Sequence, residues 1–387
     1  MSPFDITATC AFGIEAVVVD ELRKIGFDKT SVENGRVNFQ GDYISIIKSN
    51  LWLRCADRIY IKIAEFRAAD WDELFDGTKA VRWEDIIPGN GMMHVVGRSV
   101  KSKLHSVPDC QSIVKKAVVE GMKRKYRQER FTEDGPVYKI EISILNDIAT
   151  LSLDTSGNGL NRRGYRSQQG EAPLKETLAA ALVYLSRWRP DRMLADPFCG
   201  SGTIPIEAAM IAANIAPGFK RSFAAESWPE IPAELWRMCR EETLDLVIKV
   251  KPEIYAADIN KDVYRYAVKN AENAGVSDMV LFQKKPLSEF STRMEYGCII
   301  CNPPYGERLS EQREVENLYR EMGKIFGKLE TWSYFILTAL DDFEKFFGKK
   351  ATKNRKLYNG KIKTHLYQYF GPLPPRKKSG EHSSDNV

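Results

Sequence analysis

Metal-binding and membrane signals are both missing from this sequence. It holds four histidines in 387 residues, and none stands beside cysteines at the spacing of a zinc site. The seven cysteines (Cys10, Cys55, Cys110, Cys199, Cys239, Cys298 and Cys301) are odd in number and irregularly spaced, which argues against a disulfide framework. Cys298 and Cys301 form a C-x-x-C, but inside the apolar run YGCIICN, which reads as a buried strand. Side chains three apart on a strand point to opposite faces, so a shared metal or redox pair is not expected. No apolar stretch reaches the roughly 18 residues that suggest a membrane span. The first residues, MSPFDITATCAFGIEAVVVDEL, lack a basic segment ahead of a long apolar run, so no secretory leader is expected. These absences predict a cytoplasmic chain with no metal and no membrane partner.

What is present suffices for a large core. Hydrophobic residues make up 43% and aromatics 11%, and the length allows two or three domains. The net charge of +5 is mild, so its distribution matters more than its size. In the first half, Ile14, Val17, Val18, Leu22 and Ile25 fall on one helical face, and Gly26 stops the helix. A strand at 36–39, a helix at 43–50 and a strand at 58–66 follow, giving a small α+β unit. Next come a helix at 71–79, a strand at 93–98, a helix at 110–127 and a hairpin of 137–144 with 148–154, turning on Asn146-Asp147. From about residue 165 strands alternate with helices, the pattern of a parallel α/β sheet. Strands are expected at 192–195, 254–257, 280–283, 297–301 and 333–338, with helices at 174–186, 203–215 and 261–274. The segment 217–250, carrying Trp228 and Trp236, reads as an inserted helix. A last pair, 356–358 and 364–370, turns on Asn359-Gly360, a strong hairpin signal.

Two loops carry chemistry. The first, Asp196-Pro-Phe198-Cys-Gly200-Ser-Gly202-Thr203, joins a strand to a helix at the carboxyl end of the sheet, where such folds bind ligands. Its glycines let the backbone turn sharply and approach a ligand. It lacks the lysine of a P-loop and does not match G-x-G-x-x-G. Asp196 is placed to accept from a ligand ammonium. The next strand ends at Asp258-Ile259-Asn260, where an acidic side chain can hold both hydroxyls of a ribose; Asp258 or Asn260 can equally cap the following helix. The second loop is Asn302-Pro303-Pro304-Tyr305-Gly306. Two prolines remove two backbone donors, which leaves carbonyls and the Asn302 oxygen as acceptors for an amino group. Tyr305 adds a flat face for a base, worth about 1–3 kcal/mol in single-strand binders.

These motifs, with N161-R-R-G-Y-R166 and A172-P-L-K175, resemble the bacterial THUMP-domain class I guanine-N2 RNA methyltransferases of the N-P-P-Y type, 23S rRNA enzymes among them. The resemblance covers nearly the whole chain. It implies an α/β fold: a doubly wound seven-stranded methyltransferase sheet with an antiparallel C-terminal hairpin, preceded by an α+β ferredoxin-like and THUMP region. The domains it implies are a ferredoxin-like region at 1–65, a THUMP domain at 66–155, a linker at 156–172, a methyltransferase domain at 173–374 and a disordered tail at 375–387. The cofactor implied is S-adenosyl-L-methionine. Asp196, Gly200 and Gly202 would line its methionine portion and Asp258 would hold its ribose, with Phe198, Thr203 and Ile259 also touching the cofactor and Leu174 and Lys175 flanking. Asn302 and the Pro303 carbonyl would orient the target amine, beside Pro304 and Tyr305. Many relatives carry an acidic residue after the third strand, whereas this chain has Lys285, which cannot accept a hydrogen bond. Adenine then falls to backbone groups, Ser288 or Glu289.

The implied partner is RNA, with rRNA ahead of tRNA. Arg98, Lys101, Lys103, Lys123 and Arg124, with Arg162, Arg163 and Arg166 of the linker, are candidates for phosphate contact; a solvated helix face or a plain linker is the alternative for each. A DNA amino-methyltransferase, a protein-glutamine methyltransferase and a noncatalytic RNA-binding factor also share parts of the pattern.

Overall fold

The computed structural model describes residues 3–166, 174–305 and 312–375. Linker residues 167–172, Gly306 and the tail beyond 375 lie outside the described residues. The chain divides into two compact units, Met1–Ala181 with Met210–Lys249 and Leu357–Gly360, and Leu182–Ala209 with Val250–Lys356 and Lys361–Val387. The inserted segment thus groups with the N-terminal unit.

The first unit is built on one seven-stranded sheet. Its elements run β1 (Phe4–Cys10), α1 (Glu15–Lys24), β2 (Thr30–Glu33), β3 (Arg36–Gly41), α2 (Tyr43–Trp52), β4 (Ala56–Arg67), α3 (Trp71–Ala80), β5 (Met92–Val100), α4 (Val107–Tyr126), β6 (Val137–Leu145) and β7 (Ile148–Asp154). The strand order is β2-β3-β1-β4-β7-β6-β5. Local chemistry explains the ends. Asp42 accepts the Ser45 N–H at 2.9 Å while Ser45 Oγ takes the Asp42 N–H at 3.1 Å, a reciprocal cap that starts α2. Asn146 and Asp147 turn the β6–β7 hairpin with φ +51° and +62°, the left-handed pair a two-residue turn requires. In β6, Tyr138, Ile140, Ile142 and Ile144 are buried and alternate with less buried residues, as in a sheet covered on one face. β1 and β2 were not expected. β1 buries Ile6, Ala8 and Cys10, a weak apolar pattern, and three of the four β2 residues are exposed.

The second sheet also has seven strands. Between helix α5 (Glu176–Ser186) and the C-terminus lie β8 (Leu194–Asp196), α6 (Thr203–Ala212), α7 (Ala233–Asp245), β9 (Ile254–Asp258), α8 (Lys261–Ala274), β10 (Val280–Lys284), β11 (Cys298–Cys301), α9 (Gln312–Phe326), β12 (Ser333–Thr338), α10 (Phe343–Phe347), β13 (Lys353–Asn359) and β14 (Ile362–Tyr369). The order is β10-β9-β8-β11-β12-β14-β13. β8, β9, β10, β11 and β12 are parallel, and β14 is antiparallel to β12. α7 is the expected inserted helix, and α6 stops three residues short of the expected end, ahead of Asn214 at φ +52°. Every residue of β11 and β12 is buried, which fits central strands of a sheet covered on both faces. Cys301 joins the core that α9 packs against, whereas Cys298 does not, in keeping with side chains three apart facing opposite ways.

Sequence order reverses at the β8–β11 pair: β9 and β10 lie to one side, β12 to the other. That is the switch point where open α/β sheets bind ligands, outside the carboxyl ends of the strands.

Candidate active site at the strand ends

The glycine turn leaves the end of β8. Asp196 is 1% exposed, and its Oδ1 accepts the Phe198 N–H at 3.1 Å. Burial first, and the Asp258 charge second, push its carboxyl well above the ordinary range, against the pull of the Phe198 N–H. A buried carboxyl of this kind is matched to a cationic ligand, whose charge would restore the ionised form. The two glycines do different work. Gly200, at φ +54°, has open space where a side chain would stand, so a ligand can approach its backbone. At Gly202, φ +82°, a Cβ would lie 3.1 Å from the Ala267 Cβ of α8, so this glycine permits close packing. Thr203, buried, opens α6.

β9 supplies the second side. Asp258 Oδ2 accepts the Gly200 N–H at 3.0 Å and Oδ1 the Asn260 N–H at 2.9 Å. The helix cap falls to Asn260, whose Oδ1 accepts from Asp262 and Val263 at 2.9 and 3.3 Å. Asp258 is therefore a brace between the strand end and the glycine turn, with lone pairs left for a ligand. Ile259 beside it is 68% exposed, an apolar surface at the rim. The Lys285 N–H donates to the Asp258 carbonyl at 3.1 Å, and Ser288 is exposed on the short turn Leu287–Glu289.

The double-proline turn leaves β11, next to β8 in the sheet. Leu194 and Ala195 are in register with Cys298 and Ile299, and neighbouring strands lie about 4.8 Å apart. The turns after Asp196 and Cys301 therefore begin side by side. Electrostatics agrees: the buried Cys301 thiol is pushed up by burial and, next, by the Asp196 charge. Within the turn Pro303 is buried, Asn302 and Tyr305 are half-buried, and Pro304 is exposed. The Tyr305 hydroxyl donates to Asn302 Oδ1, and the Tyr319 hydroxyl of α9 donates to the Pro304 carbonyl at 2.9 Å. Tyr319 was not foreseen from the sequence. Its helix was not expected either, although Val315, Tyr319, Met322 and Phe326 recur at helical spacing and are buried on one face.

The other candidates belong to the first unit. Leu174 is buried in the first unit, where its carbonyl accepts from Arg166 at 3.0 Å. Two of the expected RNA contacts need correction. Arg163 is 3% exposed and donates to the Leu160 and Arg54 carbonyls, so it ties the chain together and is turned away from solvent. Arg166 forms an ion pair with Glu176 at 3.2 Å, both side chains being buried. Lys123 pairs with Glu120 and Glu129 at 2.9 and 2.8 Å. Arg124 donates to the Lys79 carbonyl at 3.0 Å and pairs with Glu84 at 2.9 Å, and Arg98 donates to Ser143 at 2.9 Å. Lys101, Lys103 and Arg162 are exposed. Among the described residues no group of three or more His, Cys, Asp or Glu is placed to hold a metal, and no helix is long and apolar enough to cross a membrane.

Strand order, glycine turn and double-proline turn together define a class I methyltransferase that uses S-adenosylmethionine. Residues 163–368 match the model of the RMKL-like methyltransferase domain, residues 5–60 the RlmL ferredoxin-like domain and residues 68–154 the THUMP domain. The chain belongs to the RMKL-like methyltransferase family. It is 50% identical, over 99% of its length and 100% of the relative's, to a protein of Bacillus subtilis described as "Putative RNA methyltransferase YpsC". It is 34% identical over 95% of its length to a "Ribosomal RNA large subunit methyltransferase K/L" of Syntrophotalea carbinolica, and spans 54% of that protein. The chain thus spans about half the length of the K/L relatives it matches. Among solved structures it resembles SMU.472, a putative methyltransferase complexed with SAH (47% identity, TM-score 0.92, 97% and 100% of the two chains). It also resembles a Listeria monocytogenes protein described as a predicted N6-adenine-specific DNA methylase (50% identity, TM-score 0.91, 96% and 97%).

Proposed function

We propose that the chain methylates the exocyclic N2 amine of a guanine in 23S ribosomal RNA, and does so in the cytoplasm. The observation that carries the reading is the pairing of two turns at neighbouring strand ends, one with a buried carboxyl and open backbone, the other with carbonyl and amide acceptors and two backbone donors removed by proline. S-adenosylmethionine, when bound, supplies an electrophilic methyl group. The residues' task is then positioning. Asp196 would hold the methionine ammonium, Gly200 and Gly202 its chain, and Asp258 the ribose, with Phe198, Thr203 and Ile259 also against the cofactor and Ser288 toward the adenine.

A guanine amine is a poor nucleophile because its lone pair is delocalised into the ring. Asn302 and the Pro303 carbonyl would accept its two hydrogens and fix the direction of the nitrogen for transfer. The Tyr305 hydroxyl, now on Asn302, must yield that acceptor when the amine arrives, leaving the ring to stack on the base. Position 302 is an amide and not a carboxylate, so Asn302 would not take the surplus amine proton, which would pass to water. The base must leave its stack to reach this depth. The THUMP match favours RNA over DNA, and the exposed cations Lys101, Lys103 and Arg162 are available for its phosphates. The same reading divides the chain into a ferredoxin-like region to residue 65, a THUMP domain to 155, a linker to 172 and the methyltransferase domain to 374.

Asn302→Ala tests it. Methyl transfer to RNA should fall at least about 100-fold while S-adenosylhomocysteine still binds with its original affinity. Full activity in that variant would end the proposal.

A further inference from the structure

The double-proline turn has a mechanical weakness. With two prolines in a row it lacks two of the N–H groups by which a turn usually ties itself down, so its carbonyls carry more of the task of holding it. We infer that Tyr319, with Thr338 behind it, is the positioning residue that holds this turn for methyl transfer; the inference rests on reading Asn302–Tyr305 as the amine-binding turn.

The hydrogen bonds around Tyr319 leave no freedom of direction. Its hydroxyl lies 2.9 Å from the Pro304 carbonyl and 2.8 Å from Thr338 Oγ1. A carbonyl can only accept, so the single phenolic proton goes to Pro304, and the Thr338 proton must go to the tyrosine oxygen. Thr338 Oγ1 in turn accepts the Leu340 N–H at 3.1 Å. The relay runs from a backbone amide after β12, through two hydroxyls, to the one turn carbonyl it grips. Tyr319 and Thr338 are both 0% exposed, so water is not at hand to replace a lost hydroxyl. The ring is fixed as well, edge-on to Phe343 with centroids 4.9 Å apart. Burial also raises the phenol above its ordinary range, which keeps it a donor at working pH. The clamp thus refers the turn to α9 and to the end of β12, the strand paired with β11.

A buried tyrosine hydroxyl can also serve stability alone, and the molecule contains the control. Tyr334, 4% exposed, gives its hydroxyl to the carbonyls of Phe326 and Leu329 at 2.5 and 2.7 Å. It lies near the opposite end of β12, away from the turn.

The experiment compares Tyr319→Phe, Tyr334→Phe and Asn302→Ala in the full chain by steady-state methyl transfer to RNA, S-adenosylhomocysteine calorimetry and thermal melting. Tyr319→Phe should lower kcat about tenfold, the cost of a slightly displaced acceptor. Its KM for RNA and its affinity for S-adenosylhomocysteine should stay within about twofold of the parent. Tyr334→Phe should melt at a lower temperature with kcat unchanged. Thr338→Val, which keeps the ring, should reproduce the kcat loss, and combined with Tyr319→Phe should add little to it; it also serves if Tyr319→Phe does not fold. Unchanged kcat in Tyr319→Phe, or an equal kcat loss in Tyr334→Phe, overturns the inference. The two failures separate cleanly: an active Asn302→Ala removes the reading of the turn, whereas an inactive Asn302→Ala beside a fully active Tyr319→Phe removes only the clamp.

Discussion

Replacing Asp196 by Asn should make the unliganded protein more stable and a worse binder of its cofactor. The carboxyl is 1% exposed and its folded-state pKa is raised, by burial and then by Asp258. The unfolded value is about 3.9. A group raised in this way contributes stability that is full below the unfolded value and is lost as pH rises through the folded one. At neutral pH the unfolded chain has Asp196 ionised, and the free folded protein bears a cost, for burying that charge or for taking up a proton, that Asn would not carry. Asn keeps the oxygen that accepts the Phe198 N–H and has nearly the same shape, so the packing survives. A neutral amide in place of a carboxylate gives up a charge-assisted hydrogen bond to the ligand ammonium, about 1.5–3 kcal/mol, or about 10- to 150-fold in Kd. Calorimetry with S-adenosylmethionine and thermal melting of the free protein, each across pH, read both effects. Parent affinity should weaken as pH falls through the folded pKa of Asp196, because the ligand must then displace a proton; the variant should be flat over that range. Unchanged affinity with a lower melting temperature would instead make Asp196 a structural acid with no part in holding the ligand.

Gly202→Ala should destabilise the fold by about 1–3 kcal/mol, since position 202 combines φ +82° with a Cβ 3.1 Å from Ala267; chemical denaturation checks it. Gly200→Ala, which has open space, should cost less stability and more cofactor affinity. Arg163→Ala should lower stability by about 2–3 kcal/mol and leave the salt dependence of RNA binding unchanged. Lys101→Ala should reduce the slope of that salt dependence by about one.

The sequence was most informative where chemistry is local. Asn146-Asp147, Asn359-Gly360, Asp196–Thr203 and Asn302–Tyr305 each fell at the turn their residue types predict, because steric limits on glycine, proline and asparagine act within a few residues. Strand order was not legible residue by residue; it came with the family resemblance. Long-range partners were illegible for the same reason. Nothing near Arg163 indicates that its guanidinium will be spent on the Arg54 carbonyl, 109 residues away. The Tyr319 clamp likewise depends on Pro304 and Thr338, which meet only in the fold. Asp258 shows an intermediate case: ribose ligand and helix cap were both open, and the geometry gave the cap to Asn260 and a brace to Asp258.

The most direct test of the account is nucleoside analysis of RNA from a strain lacking this protein, after incubation with the purified chain and methyl-labelled S-adenosylmethionine. Label is expected in N2-methylguanosine of the large-subunit RNA. Label in methyladenosine, label confined to DNA or transfer RNA, or a bound cofactor with no transfer to any nucleic acid would contradict it.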